Sequence, residues 1–345
     1  MSRKSITVGG ITIGGGAPVV IQSMTSTRTQ DVLATVAQIK ALEAAGCEII
    51  RLAVPDREAA RAFGQIREQV SLPMVADIHF DHRLALEAIA RGADKIRINP
   101  GNIGDLDRIR QVADACTVRG LPIRIGVNGG SLEPEIAAKY GQGAEGLVES
   151  ALAHIKLLNR CDFDNICLSV KSSHVPETVG AYRLLHERTS YPLHLGVTEA
   201  GTAFMGTIKS AIGVGSLLLD GIGDTIRVSL TDDPVEEIRV ARGILQSLGL
   251  RRFGPDIIAC PTCGRCEIDL IPLVGEVERR LAGSEAEITV AIMGCVVNGP
   301  GEARAADFGI AGGRGEGLLF RHGEVVGKVP MDALVDALMD LIVDG

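Results

Sequence analysis

Tryptophan is absent from the 345 residues of this chain, and aromatic residues of all kinds make up 3% of it. A surface that stacks on bases, or one that anchors in a membrane interface, uses aromatic rings for the task, so both partners lose ground. Basic charge is scarce as well. With 35 Lys and Arg against 43 Asp and Glu the net charge is −8, which leaves no chain-wide cationic surface for nucleic acid. No apolar run of about 18 residues occurs, and the opening Met1-Ser2-Arg3-Lys4-Ser5-Ile6-Thr7 has no apolar signal core. The expectation is a cytoplasmic chain with neither a membrane nor a nucleic-acid partner.

What is present is concentrated near the C-terminus. Of eight cysteines, Cys47, Cys116, Cys161 and Cys167 stand singly among apolar neighbours and read as small buried hydrophobes in a compartment that keeps thiols reduced. The other four cluster in Cys260-Pro261-Thr262-Cys263-Gly264-Arg265-Cys266 and in Gly294-Cys295-Val296-Val297-Asn298-Gly299-Pro300-Gly301-Glu302. Two thiols three positions apart can close on one metal centre, and a later thiol followed by a carboxylate can complete the shell. Such a centre serves architecture or electron transfer. Spacing alone favours Cys266 over Glu302 as the fourth ligand, because C-x-x-C-x-x-C is a ferredoxin-like run.

The preceding residues alternate between two patterns. A Gly-Gly hairpin over residues 5–13 comes first and is expected to cover one end of the adjoining domain. Eight short apolar, β-branched runs then appear: 19–23, 48–54, 73–79, 95–99, 122–128, 165–171, 193–199 and 224–230. Between them lie amphipathic stretches at 31–45, 57–69, 81–91, 104–115, 145–159, 177–188 and 202–213. Eight βα units predict a (β/α)8 TIM barrel over residues 1–250, with a doubly wound sheet as the other fold of the same local signature. A Pro-containing polar linker at 251–256 leads to a small α+β module at 257–345, with a helix near 268–281, a strand at 287–292, a hairpin turning at His322-Gly323 and a closing helix at 331–343.

Barrel enzymes build their sites at the C-terminal ends of the strands. Here those ends carry Arg51, Asp77 and His79, Arg97 and Asn99, Arg124 and Asn128, Lys171, Glu199, and Arg227 with Ser229. Four arginines and a lysine converging on one mouth call for an anion, and guanidinium forks match phosphate oxygens in pairs. Two or more phosphate charges suit this field better than one carboxylate. Two other readings compete: a lyase or aldolase with Lys171 forming a Schiff base beside a structural zinc, and a non-enzymatic scaffold carrying a cysteine interaction module, which gives no reason for the arginines.

Several longer motifs carry a resemblance. Gln22-Ser23-Met24-Thr25, Ala76-Asp77-Ile78-His79-Phe80, Lys95-Ile96-Arg97-Ile98-Asn99-Pro100-Gly101-Asn102-Ile103-Gly104, Val197-Thr198-Glu199-Ala200-Gly201, the stretch 221–230 and both cysteine motifs resemble the 4-hydroxy-3-methylbut-2-enyl diphosphate synthases of the two-domain bacterial type. The resemblance covers essentially the whole chain. It implies reductive opening and dehydration of 2-C-methyl-D-erythritol 2,4-cyclodiphosphate in the non-mevalonate isoprenoid pathway, with flavodoxin or ferredoxin as electron donor and a homodimer as the assembly. It also implies one 4Fe–4S cluster held by Cys260, Cys263, Cys295 and Glu302, with Cys266 a bystander. Diphosphate contacts then fall on Arg51, Arg97, Arg124, Asn128, Lys171, Arg227 and Ser229, and Glu199 stands beside the reacting carbons.

Overall fold

The computed structural model describes residues 2–295, 301 and 303–344. It forms two units, Met1–Arg251 and Arg252–Gly345, and the boundary runs between two consecutive arginines. Arg251 donates to Val19 O at 3.0 Å and pairs with Glu48 at 2.7 Å inside the first unit, whereas Arg252 donates to Glu287 O at 2.8 Å inside the second.

In the first unit, β1 (Ser5–Val8) and β2 (Ile11–Gly14) pair antiparallel. The turn works because Gly9 and Gly10 both take positive φ, 54° and 90°, as the tight hairpin turn with two left-handed residues demands. Eight parallel strands come next: β3 (Val20–Met24), β4 (Ile49–Ala53), β5 (Met74–Asp77), β6 (Lys95–Ile98), β7 (Ile123–Asn128), β8 (Ile166–Lys171), β9 (His194–Leu195) and β10 (Thr225–Ile226). Their order is β8-β7-β6-β5-β4-β3-β10-β9. A bridge between Leu168 and Leu193 closes the ring, and the expected TIM barrel results.

The helices around it are α1 (Val32–Ala45), α2 (Arg57–Arg67), α3 (His82–Ala90), α4 (Pro100–Ile103), α5 (Leu106–Arg119), α6 (Pro134–Tyr140), α7 (Ala144–Asn159), α8 (Val175–Arg188), α9 (Ala203–Leu219) and α10 (Pro234–Ser247). Part of the acidic surplus starts them. Asp31, Asp56, Asp81, Asp105 and Asp233 each accept a first-turn amide hydrogen bond, a cap worth about 1 kcal/mol. Helix α9 runs past the expected end at 213 because Gly213 packs directly on Val197, where a Cβ would come within 2.8 Å; a glycine read as a stop is here a close approach.

The last two expected strands shrink to two residues each, for a similar reason. A Cβ at Gly196 would meet both Arg227 O and Lys171 Nζ at 2.6 Å, so the chain leaves the ladder where Lys171 needs room. At the opposite end the interior is apolar. Ile6, Val8 and Ile13 of the hairpin pack on the inward residues Val20, Ile49, Val75 and Cys167, and this plug closes the barrel floor beneath its polar upper layers.

The second unit holds a five-stranded sheet, β11 (Asp256–Ala259), β12 (Thr289–Met293), β13 (Phe308–Gly312), β14 (Glu316–Arg321) and β15 (Glu324–Pro330), in that order. The first three are parallel and the rest antiparallel. The helices α11 (Leu270–Leu281) and α12 (Leu334–Val343) join one core with Val290, Ile292, Phe308, Ile310 and Leu319. Strand β13 is missing from the expected elements, since Gly309 and Gly312 disguise its alternation. Gly312 is required there because Ile268 occupies the place a Cβ would take, 2.4 Å away.

If the hairpin is the barrel floor rather than an ornament, emptying part of it should be felt globally. Ile13 is fully buried, and Ile13→Ala is expected to destabilise the chain by about 2–5 kcal/mol, read as a lowered denaturant midpoint of the barrel transition. A midpoint within error of the parent would contradict that role.

Candidate functional site

Period-two alternation turns the strand-end cations inward, and they line a cavity of about 260 Å³ at the barrel mouth with Met24, Asp77, His79, Asn128, Thr198 and Ser229. Arg51, Arg97, Arg124, Lys171 and Arg227 face one lining carboxylate, Asp77. Arg97 Nη1 donates to Asp77 Oδ1 at 3.0 Å and Arg51 lies 3.7 Å from Oδ2. Burial would raise the Asp77 carboxyl, but Arg51, His79 and Arg97 together hold it well below the usual carboxylate range. One lining anion therefore serves two arginines, Arg227 reaches a carboxylate only outside the lining, and Arg124 and Lys171 remain.

Their surroundings offer little relief. Arg124 is 1% exposed; its Nη1 donates to Ser169 Oγ at 2.6 Å, while Nε and Nη2 have no partner. Arg227 is 3.7 Å from Glu237, and its Nε is unpartnered. Arg51 directs Nε and Nη2 to the Met24 sulfur at 3.1 and 2.8 Å, a weak acceptor. Burial and then the neighbouring arginines push Lys171 well below its ordinary pKa, and burial with Arg97 pushes Arg124 down to about 10. Buried donors without acceptors cost a few kcal/mol each, so this mouth is built for an incoming anion.

Five of the seven expected substrate contacts bear donors on this one cavity from barrel strands, and Arg227 and Ser229 add theirs from beyond β10. Glu199 is placed differently. It is exposed, outside the lining residues, and takes a left-handed φ of 50°, a conformation that costs a non-glycine residue on the order of 1 kcal/mol. Sequence reasoning missed Met24 as the partner of Arg51, and Glu237, which receives Ser23 Oγ at 3.0 Å and Leu230 N at 3.1 Å. It also passed over Lys95, although two positions before Arg97 is the same inward side. A larger hollow of about 620 Å³ between Thr27 and Glu58 has no buried cation; its Asp56 is engaged by the α2 cap and by Gln30.

The cysteine residues sit at the carboxyl ends of parallel strands β11 and β12, where open α/β sheets bind ligands. Cys260 continues the ladder through its amide to Ile292 O at 3.2 Å, and its Sγ accepts the Gly294 amide at 3.2 Å. A Cβ at Gly294 would lie 2.5 Å from Cys266 Sγ and 3.5 Å from Cys260 Sγ, so the glycine leaves room for sulfur. Cys263 is exposed, and the Arg265 backbone amide, with the Arg265 side chain and Cys266 amide, draws its thiol down toward the thiolate. Cys266 differs in partner: its Sγ donates to Ile268 O at 3.2 Å. Cys295 is buried. Soft thiolates suit iron–sulfur centres or zinc. Among the described residues no three His, Cys, Asp or Glu side chains close on a single ion, and Glu302 lies outside the described residues.

Comparison with known proteins covers both units. Residues 3–242 match the GcpE TIM-barrel domain and residues 256–344 the GcpE protein C-terminal domain. A protein of Geobacter sulfurreducens named 4-hydroxy-3-methylbut-2-en-1-yl diphosphate synthase (flavodoxin) is 59% identical over 97% of this chain and 96% of its own. One of the same name from Clostridium perfringens is 56% identical over 99% of both. Among solved structures, a dihydropteroate synthase of Coxiella burnetii shares the barrel fold at 12% identity, TM-score 0.51, over 72% of this chain and 99% of that one.

Below the mouth, Lys95 gives a clean electrostatic test. It is fully buried, with Gln22 Oε1 at 3.1 Å, and burial pushes its pKa down to about 8 from 10.5. Between those values the unfolded chain binds the proton that the folded one has lost, so this residue makes stability rise with pH across that window, while below about 8 its full cost stands. Lys95→Met is expected to stabilise the chain at pH 7 by on the order of a few kcal/mol, with the gain shrinking toward pH 10.5. Denaturant midpoints of both proteins at pH 7 and pH 10 decide it; an equal gain at both values would clear Lys95 of the effect.

Proposed function

This chain belongs to the GcpE family, and from that premise we infer that it opens and dehydrates 2-C-methyl-D-erythritol 2,4-cyclodiphosphate, with two electrons, to give 4-hydroxy-3-methylbut-2-enyl diphosphate in isoprenoid precursor synthesis. The observation that carries the substrate is the mouth itself, where buried guanidinium edges of Arg124 and Arg227 lack acceptors. A cyclic diphosphate brings several acceptors on two phosphorus centres, a match that a single carboxylate does not offer. Flavodoxin appears in the relatives' names as electron donor, and it is the donor proposed for this chain, with ferredoxin as the other candidate.

In this reading residues 1–250 bind substrate and residues 257–345 hold one 4Fe–4S cluster, in a cytoplasmic homodimer. Cys260, Cys263 and Cys295 are its thiolate ligands, and Glu302 supplies the carboxylate; a weakly held carboxylate can yield its place to substrate, which a fourth thiolate from Cys266 would not. When bound, the cluster supplies the electrons and a Lewis-acidic iron. The chain's own groups do the rest. Arg51, Arg97, Arg124 and Lys171 neutralise the diphosphate and fix the ring's orientation, with Asn128, Arg227 and Ser229 on the rim. Asp77 keeps Arg97 and Arg51 in place through its ion pairs. Glu199, the residue after the lining Thr198, is proposed to hand over the proton with which the hydroxyl leaves as water. The Lys171 Schiff-base alternative has no place in a family with this activity.

Two measurements test the proposal. On protein purified without oxygen, about four irons and four acid-labile sulfides per chain are expected, with an EPR signal after dithionite that the cyclic diphosphate perturbs; one zinc and no sulfide would end the reductase reading. Binding should also take up protons. Burial and the surrounding arginines hold Lys171 well below its ordinary value, and an arriving polyanion reverses that field and raises it. Between the free and bound values, complex formation therefore consumes protons and weakens as pH rises. Titration calorimetry at pH 8 in two buffers of different ionisation enthalpy reads the uptake, and a buffer-independent heat would remove Lys171 from the contact set.

A further inference from the structure

Two loops at the mouth lie behind the substrate contacts rather than among them. The first, Asn99-Pro100-Gly101-Asn102-Ile103-Gly104, comes after the strand of Arg97; the second, residues 129–133, comes after the strand of Arg124 and Asn128. They meet on a buried pair. On α7, Ser150 and His154 stand four positions apart and share a helix face. His154 Nε2 lies 2.8 Å from Glu133 Oε1, and Ser150 Oγ donates to Glu133 Oε2 at 2.8 Å. Both side chains are buried, so one helix face meets both carboxylate oxygens at the end of the second loop, Oε2 through a hydrogen bond and Oε1 through a close ion-pair contact.

The same pair supports the first loop. A Cβ at Gly101 would lie 2.8 Å from Glu133 Oε1 and 2.9 Å from His154 Nε2, which means that the Gly101 backbone rests directly on the two side chains. The Gly101 amide is in turn held by Asn99 Oδ1 at 3.1 Å, immediately beyond the strand of Arg97. The close approach of His154, first among its causes, draws the Glu133 carboxyl down to about 2, so the carboxylate stays ionised at any working pH. None of Gly101, Glu133, Ser150 or His154 lines the mouth cavity.

We propose that the Glu133–His154 pair is a positioning device that locks the loops after β6 and β7 together and so pre-sets the Arg97 and Asn128 side of the mouth for the diphosphate. The proposal rests on the assignment of that mouth as the substrate site. Ordering a loop costs conformational entropy, and a rim ordered before the ligand arrives spares the complex that cost. The device acts on substrate and transition state alike, so its loss appears in KM rather than kcat.

The test is equilibrium binding of the cyclic diphosphate to full-length, cluster-loaded protein, with thermal midpoints and steady-state kinetics in parallel. His154→Leu is expected to weaken binding and raise KM by about ten- to a hundredfold, with kcat unchanged. Gly101→Ala, which keeps every side chain of the pair but displaces it, should do the same. His154→Gln should restore binding to within about threefold, since its amide N–H can still reach Glu133. Parent-like affinity in His154→Leu and Gly101→Ala, or a folded His154→Gln that fails to recover, overturns the proposal. If His154→Leu does not fold, the Gly101→Ala and His154→Gln pair decides. A parent protein that does not bind the cyclic diphosphate sinks the substrate assignment instead, and this proposal with it.

Discussion

Positive charge confined in a space with too few negative partners is the constraint on which the barrel depends. Arg51, Arg97, Arg124 and Lys171 are each at most 9% exposed, and Lys95 beneath them is fully buried. Like charges so placed raise the free energy of the folded chain, and much of the local architecture is arranged to bear it. Asp77 is shared between two arginines. Glycines stand where the cations need volume: a Cβ at Gly126 would be 2.5 Å from Arg97 Nε, and one at Gly196 would be 2.6 Å from Lys171 Nζ. The floor is an apolar plug, so burial lost to charge above is recovered below. The strand ladder shortens at β9 and β10 rather than displace these groups.

The second unit solves a different problem, again with strand ends. Three parallel strands aim their carboxyl ends at one edge, and the loops leaving β11 and β12 carry the thiols there. Gly294 admits sulfur where any side chain would collide, and its amide donates to Cys260 Sγ. The apolar core on one face of the sheet, with Val290, Ile292 and Ile310 fully buried, makes this edge rigid, and preorganised ligands lose less entropy on binding than mobile ones.

The barrel was legible because its signal is dense. Most barrel strands are runs of apolar residues, four of them carry a cation on the inward side, and Arg51, Arg97, Arg124 and Lys171 stand where alternation puts them. What escaped depends on contacts that no local pattern carries. Glu133 and His154 lie twenty-one positions apart and meet only because α7 folds back over the loop. Strand β13 escaped because its glycines, one of them needed beside Ile268, look like loop residues. The cysteine run is the clearest case. Its spacing makes Cys266 the natural fourth thiolate, yet its Sγ lies 3.2 Å from the Ile268 carbonyl oxygen, a neighbour two residues on that no spacing motif records.

Stability and function pull against each other in this barrel at its mouth. A mouth with its charges fully paired inside the protein would be more stable and would bind nothing, because every donor offered to a phosphate would first have to be taken from a carboxylate. The unpartnered edges of Arg124 and Arg227 are therefore the expected departure from internal satisfaction, concentrated where the ligand completes the network. Around that opening the carboxylates are engaged: Asp77 on the arginines, Glu237 on Ser23 and Leu230, Glu133 on Ser150 and His154. A site left incomplete in its first contacts holds its shape only if the groups behind it are not. That division, open toward the ligand and closed behind it, lets a chain of net negative charge keep a strongly cationic mouth.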